Sequence, residues 1–204
     1  MLIFQTLMTH PGTDLFDLME RRRSIRKYES RQIAREDLQR IIEAGTQAPN
    51  AGGGQRSMIV GVHNPELTER LGKLNVAMLQ RDRLIGSYVS ADQPSIIDDP
   101  SLKSGFYGAP TVAIVFAQSN FLYSVPDAFC CAENMVLAAS ALGISSCIVA
   151  RAEETFSNEL GRRLMADWGV PDGYVARCFV LLGYCRGDYP PPKPRKPGRT
   201  FIVE

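Results

Sequence analysis

Four short apolar runs, each rich in β-branched residues and separated from the next by helical patterning, set most of the limits on what this chain of 204 residues can fold into. They occupy residues 58–62, 111–117, 145–150 and 175–184, and runs this short and branched read as buried strands. Between them the apolar spacing changes to that of helices. An amphipathic segment over 14–20 carries Leu15, Leu18 and Met19. A second helix opens on Arg35, Glu36 and Asp37, places Leu38, Ile41, Ile42 and Gly45 on one face, and stops before Ala48-Pro49. A third starts at Asn64-Pro65 with Leu67, Leu71, Leu74 and Met78 on one core-facing stripe. A fourth is read as capped by Asp127 and ended by Gly143; it is so apolar all round that it should be buried, against its own copy in a second subunit if need be. A fifth runs from about Thr155 to Trp168. No G-x-G-x-x-G accompanies any strand, so a Rossmann nucleotide-binding unit is not supported.

Composition narrows the partner. Basic and acidic residues number 23 and 22, a balance that gives no broad positive field for nucleic acid or a membrane surface, so a small molecule is expected. The five cysteines, 130, 131, 147, 178 and 185, show no C-x-x-C spacing and imply neither a disulfide framework nor a zinc site; a reducing cytoplasm fits them. The apolar segment 1–8 has no basic start, is too short to span a bilayer and is interrupted by His10-Pro11-Gly12, so it is expected to pack on a subunit surface. A single domain over 1–204 is the expectation.

Three stretches fall outside this regular pattern. Residues 21–27, Arg-Arg-Arg-Ser-Ile-Arg-Lys, hold five cations and a hydroxyl. They read either as a solvated helix end favoured by the dipole or as a phosphate grip, since guanidinium forks chelate phosphoryl oxygens. Residues 80–108 lack periodicity and suggest a lid. Residues 187–199 contain five prolines among basic residues and favour an extended arm, followed by the strand-like Thr200-Phe201-Ile202-Val203, which could reach a neighbouring subunit.

The order of the Arg-Arg-Ser-Ile-Arg cluster, the Ala-Pro-Asn-Ala-Gly-Gly-Gly-Gln loop, Phe106-Tyr107-Gly108-Ala109-Pro110, Gly143-Ile144-Ser145-Ser146 and the Lys193-Pro194-Arg195 arm resembles the nitroreductase family of flavoenzymes over residues 14–204. The resemblance implies an α+β fold with an antiparallel-dominated sheet surrounded by helices. It also implies a homodimer whose C-terminal arms are exchanged, and an FMN at each interface pocket. It assigns Arg22, Arg23, Ser24 and Arg26 to the FMN phosphate and pyrimidine edge. Asn50, Ala51, Gly52 and Gly53 would come from the other subunit, followed by Gln55. The backbone at Ala150 and Arg151 would face the flavin N5 and O4 edge, and Lys193 and Arg195 would return to the phosphate. Phe106, Tyr107 and Tyr88 become candidates for the acceptor pocket, while His10 and His63 lie outside the motifs.

The chemistry suits those residue types. A dianionic phosphate accounts for two basic clusters, and glycines let backbone approach a flat ring. A cation such as Arg26 near N1 and O2 stabilises the reduced flavin, so no acid, base or protein nucleophile is required. The implied activity is ping-pong reduction of nitroaromatics, quinones or another electron-poor acceptor with NADH or NADPH. A flavin storage or sensing module, a same-fold dehalogenase, enone reductase or flavin-fragmenting enzyme, and an oligonucleotide contact at 21–27 are the rival readings. Gly53 stands where the family pattern has Asn, and Arg56-Ser57 where it has Pro-Trp; Asn75 or Lys73 could supply a missing flavin contact.

Overall fold

The computed structural model describes residues 14–80 and 93–204. Its centre is a four-stranded sheet in the order β1-β2-β4-β3, built from β1 (Ser57–Val62), β2 (Thr111–Gln118), β3 (Ser145–Val149) and β4 (Tyr174–Gly183). Every neighbouring pair is antiparallel. Helices α1 (Leu15–Arg21), α2 (Arg35–Thr46), α3 (Pro65–Ala77), α4 (Ser124–Ala141), α5 (Ala152–Phe156) and α6 (Glu159–Asp167) surround it. The α+β architecture is therefore the expected one.

Strand β2 explains why the apolar runs are unbroken: residues 111–117 are all buried, because both faces of the sheet are covered. Val112, Ile114 and Phe116 point into one core with Leu71, Phe106, Phe156 and Phe179. Ala113 and Val115 point into the other, with Ile41, Ala128, Ala132 and Met135. Small residues on β2 and α4 let that helix lie close to the sheet, while aromatic rings fill the opposite layer; Phe106 and Phe179 meet edge-on at 4.8 Å. Each such buried ring contributes about 1.5–3 kcal/mol.

Several expectations are corrected. Helix α4 begins at Ser124, so Asp127 lies within its first turn instead of capping it. Only one face of α4 is buried within the chain, and Val125 and Phe129 are exposed. Its end is as expected: Gly143 adopts φ 70°, and Ile144 N–H donates to Ala139 O at 2.8 Å. The helix read across 155–168 is two helices, because Asn158 interrupts it and accepts from Gly161 N–H at 3.0 Å to start α6.

Of the stretch 80–108 read as a lid, residues 93–108 pack on the body of the protein. Ile96 and Phe106 are buried, and Gly105 N–H donates to Gly72 O of α3 at 2.9 Å. Residues 81–92, with Tyr88, and residues 1–13, with His10, lie outside the described residues. The tail 200–203 forms no strand within the chain, and Phe201, Ile202 and Val203 are exposed. Among the described residues no helix is long and apolar enough to cross a membrane.

What positions the site is an extended segment beside the outer strand. Ile25 N–H donates to Ser146 O at 2.9 Å, Ser24 bridges Ser146, and Tyr28 bridges Cys185. Ile25 and Tyr28 are buried in the core; two-residue alternation leaves Ser24 and Arg26 on the side opposite Ile25.

Candidate functional site

Both basic clusters meet at one place. A cavity of about 420 Å³ is lined by Arg22, Arg23, Ser24, Arg26 and Gln93, and on its other wall by residues 190–195, including Lys193 and Arg195. Tyr189 fastens the arm there, its hydroxyl accepting from Arg23 N–H at 2.9 Å. Gln93 Oε1 accepts from Arg26 N–H at 2.7 Å on the opposite side. Lys193 and Arg195 thus lie against the cluster of their own chain.

The electrostatics of this cavity are unbalanced. Arg22, Arg23, Arg26 and Arg195 have no ion-paired carboxylate among the described residues. Burial lowers the Arg23 guanidinium pKa, and repulsion from Arg195 and Arg22 adds to this against the opposing pull of Tyr189. Arg22 Nε and both Nε and Nη2 of Arg23 are buried with no hydrogen-bond partner. Buried donors left unmet cost about 1–3 kcal/mol each, so the arrangement calls for a compact anion with several acceptor oxygens, which a phosphate monoester supplies. The residues present therefore fit the phosphate of FMN.

The glycine-rich loop is built elsewhere on the chain. Asn50 Oδ1 accepts from Gln55 N–H at 2.8 Å, closing a single 3-10 turn over Ala51–Gly53. Gly52 and Gly53 sit at φ 59° and 62°, the left-handed region that glycine adopts without penalty. A Cβ at Gly53 would meet nothing within 4 Å, so sterics do not account for the missing Asn side chain. Two opposite charges hold Ala51. Its N–H donates to the Asp127 carboxylate at 3.1 and 3.2 Å, and its carbonyl accepts from Arg56 Nη1 at 3.2 Å. Arg56, which also lies over the Phe121 ring at 4.7 Å, is thus a brace for this loop.

A third element is the turn after β3. Arg151 adopts φ 61° and ψ 33°, uncommon for a residue with a side chain, and Asn75 of α3 secures it. Asn75 Nδ2 donates to Ala150 O at 3.0 Å and Thr155 Oγ1 at 3.1 Å, while Oδ1 accepts from Arg151 Nη2 at 2.6 Å. Gly105 is required beside it, since a Cβ there would come within 2.3 Å of Asn75 Oδ1. Asn75 is therefore committed to this turn, and Lys73 is an exposed partner of Glu69 at 3.7 Å. Phe106 is a core residue with no exposure, which removes it from any acceptor pocket. Tyr107 is half-buried; its hydroxyl accepts from Ile96 N–H at 3.4 Å and senses both Arg26 and Arg151, although burial dominates and raises its pKa. His63 Nε2 lies 2.8 Å from Ile33 O and belongs to the framework.

The structure brings Arg22, Arg23, Ser24, Arg26, Lys193 and Arg195 to one cavity. The residues 50–55 and Arg151 do not line it. Sequence reasoning missed Gln93, Tyr189 and the brace formed by Asp127 and Arg56. Tyr189 carried a signal, as the aromatic residue immediately before the proline run.

In this antiparallel α+β fold, unpaired guanidinium groups around a cavity form a donor set suited to a small anionic ligand. More narrowly, the chain belongs to the Nitroreductase family, whose pattern matches residues 19–184. It is 27% identical over 216 residues to Nitroreductase NfnB of Mycolicibacterium smegmatis, covering 87% of this chain and 92% of that protein. A crystal structure of a nitroreductase with bound FMN from Bacteroides fragilis superposes with a TM-score of 0.76 at 28% identity, covering 95% of this chain and all of the other. An iodotyrosine deiodinase bound to FMN and 3-iodo-L-tyrosine shares the fold, with a TM-score of 0.66 at 18% identity over 94% of this chain and 98% of that one.

Proposed function

We propose that this chain is an NAD(P)H-dependent FMN oxidoreductase that reduces small electron-poor acceptors such as nitroaromatics and quinones, and that it works as a homodimer. The observation that carries this reading is the cavity whose orphaned Arg22 and Arg23 donors face Lys193 and Arg195 of the arm. The FMN-bound structural relative and the nitroreductase relative support the choice of cofactor and reaction.

Arg22, Arg23, Ser24, Lys193 and Arg195 hold the phosphate. Arg26, its backbone fixed by Gln93, offers positive charge toward the pyrimidine edge, where added electron density gathers. The chemistry supplied by the bound group is two-electron transfer, by which a hydride from NAD(P)H is relayed to the acceptor. A quinone, NAD(P)H and one proton thus give quinol and NAD(P)⁺. The Ala150 and Arg151 turn, pinned by Asn75, would offer backbone to the redox edge. Asn50, Ala51, Gly52, Gly53 and Gln55, in a loop held by Asp127 and Arg56, would serve the cofactor of the partner subunit. The five free cysteines suit a reducing, cytoplasmic setting.

The test is optical. Purified protein should be yellow, bleach on anaerobic addition of NADH or NADPH, and recover colour with menadione. Arg22→Ala combined with Lys193→Ala should give folded but colourless protein. A wild type that binds no FMN, or that stays oxidised with both nicotinamides, would refute the reading; the second result is the behaviour of a storage or sensing module.

A further inference from the structure

Arg151 is placed for more than supporting a turn. It is held in a left-handed conformation at φ 61° by hydrogen bonds around Asn75, and Thr155 Oγ1 donates to its carbonyl at 2.6 Å. A positive φ on an arginine persists only where its surroundings fix it, and here they fix the origin of a long cationic side chain. Of that side chain, Nη2 is occupied by the neutral Asn75 amide oxygen, and Nε is buried without a partner. No carboxylate lies within ion-pair distance among the described residues, and Glu154 acts on it only at longer range. Burial lowers the guanidinium pKa, the mark of a cation set into protein without a compensating anion. Strand β3 links this turn to the cationic segment, since its Ser146 bridges Ser24 and the strand ends at Val149, two residues before Arg151.

We propose that Arg151 is a specificity-determining residue that holds the carboxylate of an anionic, electron-poor acceptor. The proposal rests on the oxidoreductase reading above. A planar fork fixed at one nitrogen by Asn75 matches a carboxylate in geometry as well as charge, and it orients the acceptor by one end so that the reducible group lies over the redox face. The FMN phosphate is not its ligand, because that site is furnished by other residues.

The experiment compares 4-nitrobenzoate with 4-nitrobenzamide, which differ chiefly in charge, and uses menadione as an uncharged third acceptor. The wild-type holoenzyme should favour the nitrobenzoate by about tenfold or more in kcat/KM, as expected for one charge-assisted contact. In Arg151→Gly, which accepts the positive φ without strain, and in Arg151→Asn, that ratio should fall to near one, with the change in KM. Arg151→Lys should retain part of it. Unreactive benzoate should perturb the wild-type flavin spectrum saturably and leave that of Arg151→Gly unchanged.

Equal kcat/KM for the two nitro compounds in the wild type would overturn the proposal. So would a ratio unaltered by substitution, or loss of FMN from a folded Arg151→Gly protein, which would assign the guanidinium to the cofactor. If the wild type reduces none of the three acceptors, the oxidoreductase reading fails, and the benzoate titration still decides whether Arg151 binds a carboxylate.

Discussion

Asp127 shows how a single side chain can be read correctly for its helix and wrongly for its work. An aspartate at the start of an apolar helix is ordinarily a cap, yet here α4 begins three residues earlier and the carboxylate receives Ala51 N–H from a loop 76 positions away. Asp127→Ala should leave that N–H unmet, cost about 1–3 kcal/mol in urea denaturation and accelerate amide exchange across residues 51–55. Asp127→Asn, which keeps an acceptor oxygen, should restore most of the protection; equal exchange in both variants would contradict the brace. The meeting of Arg22, Arg23 and Arg26 with the distant Lys193 and Arg195 was legible through the family resemblance, whereas the cluster by itself also read as a solvated helix end. The commitment of Asn75 was not legible, since local sequence does not show that α3 packs against the turn after β3. Nor did it show that Phe106, next to the half-buried Tyr107, points into the core.

Among the elements, strands were the most legible and helix interruptions the least. Strand β2 is buried on both faces and so carries an uninterrupted apolar run, whereas the break between α5 and α6 depends on Asn158 accepting from Gly161, within a pattern that otherwise continues. The proline-rich arm was legible as extended chain because proline cannot supply the amide donors of a helix or ladder. Its path was not, because tertiary contacts such as that of Tyr189 with Arg23 set it. Deleting residues 187–204 removes Tyr189, Lys193 and Arg195 together and should yield protein without bound flavin. If the apolar tail reaches a neighbour, sedimentation should also show a shift toward monomer. Full flavin occupancy after the deletion would mean that the arm contributes nothing to the grip.

For the molecule as a whole, the two-sided core encloses ionisable groups that stay neutral to higher pH when folded than when unfolded. Burial pushes the Cys178 thiol from 9.0 up to about 12, and the buried Tyr28 phenol is raised well above its ordinary value of 10.0. A raised folded-state pKa favours the folded form fully below the unfolded value and loses that contribution as pH climbs through the folded one. Urea midpoints should therefore be level near pH 8 and fall between about pH 9 and 12. Cys178→Ala should be less stable at pH 8, from the cavity it leaves, but should lose less on going alkaline. An identical slope in that variant would place the titration elsewhere.

The Tyr189 contact between arm and cluster has a consequence for biosynthesis. If cluster and arm grip the nucleotide together, its capture should wait until residue 195 has left the ribosome. Polypeptides cut short before it should accumulate without colour, however well their central layers assemble.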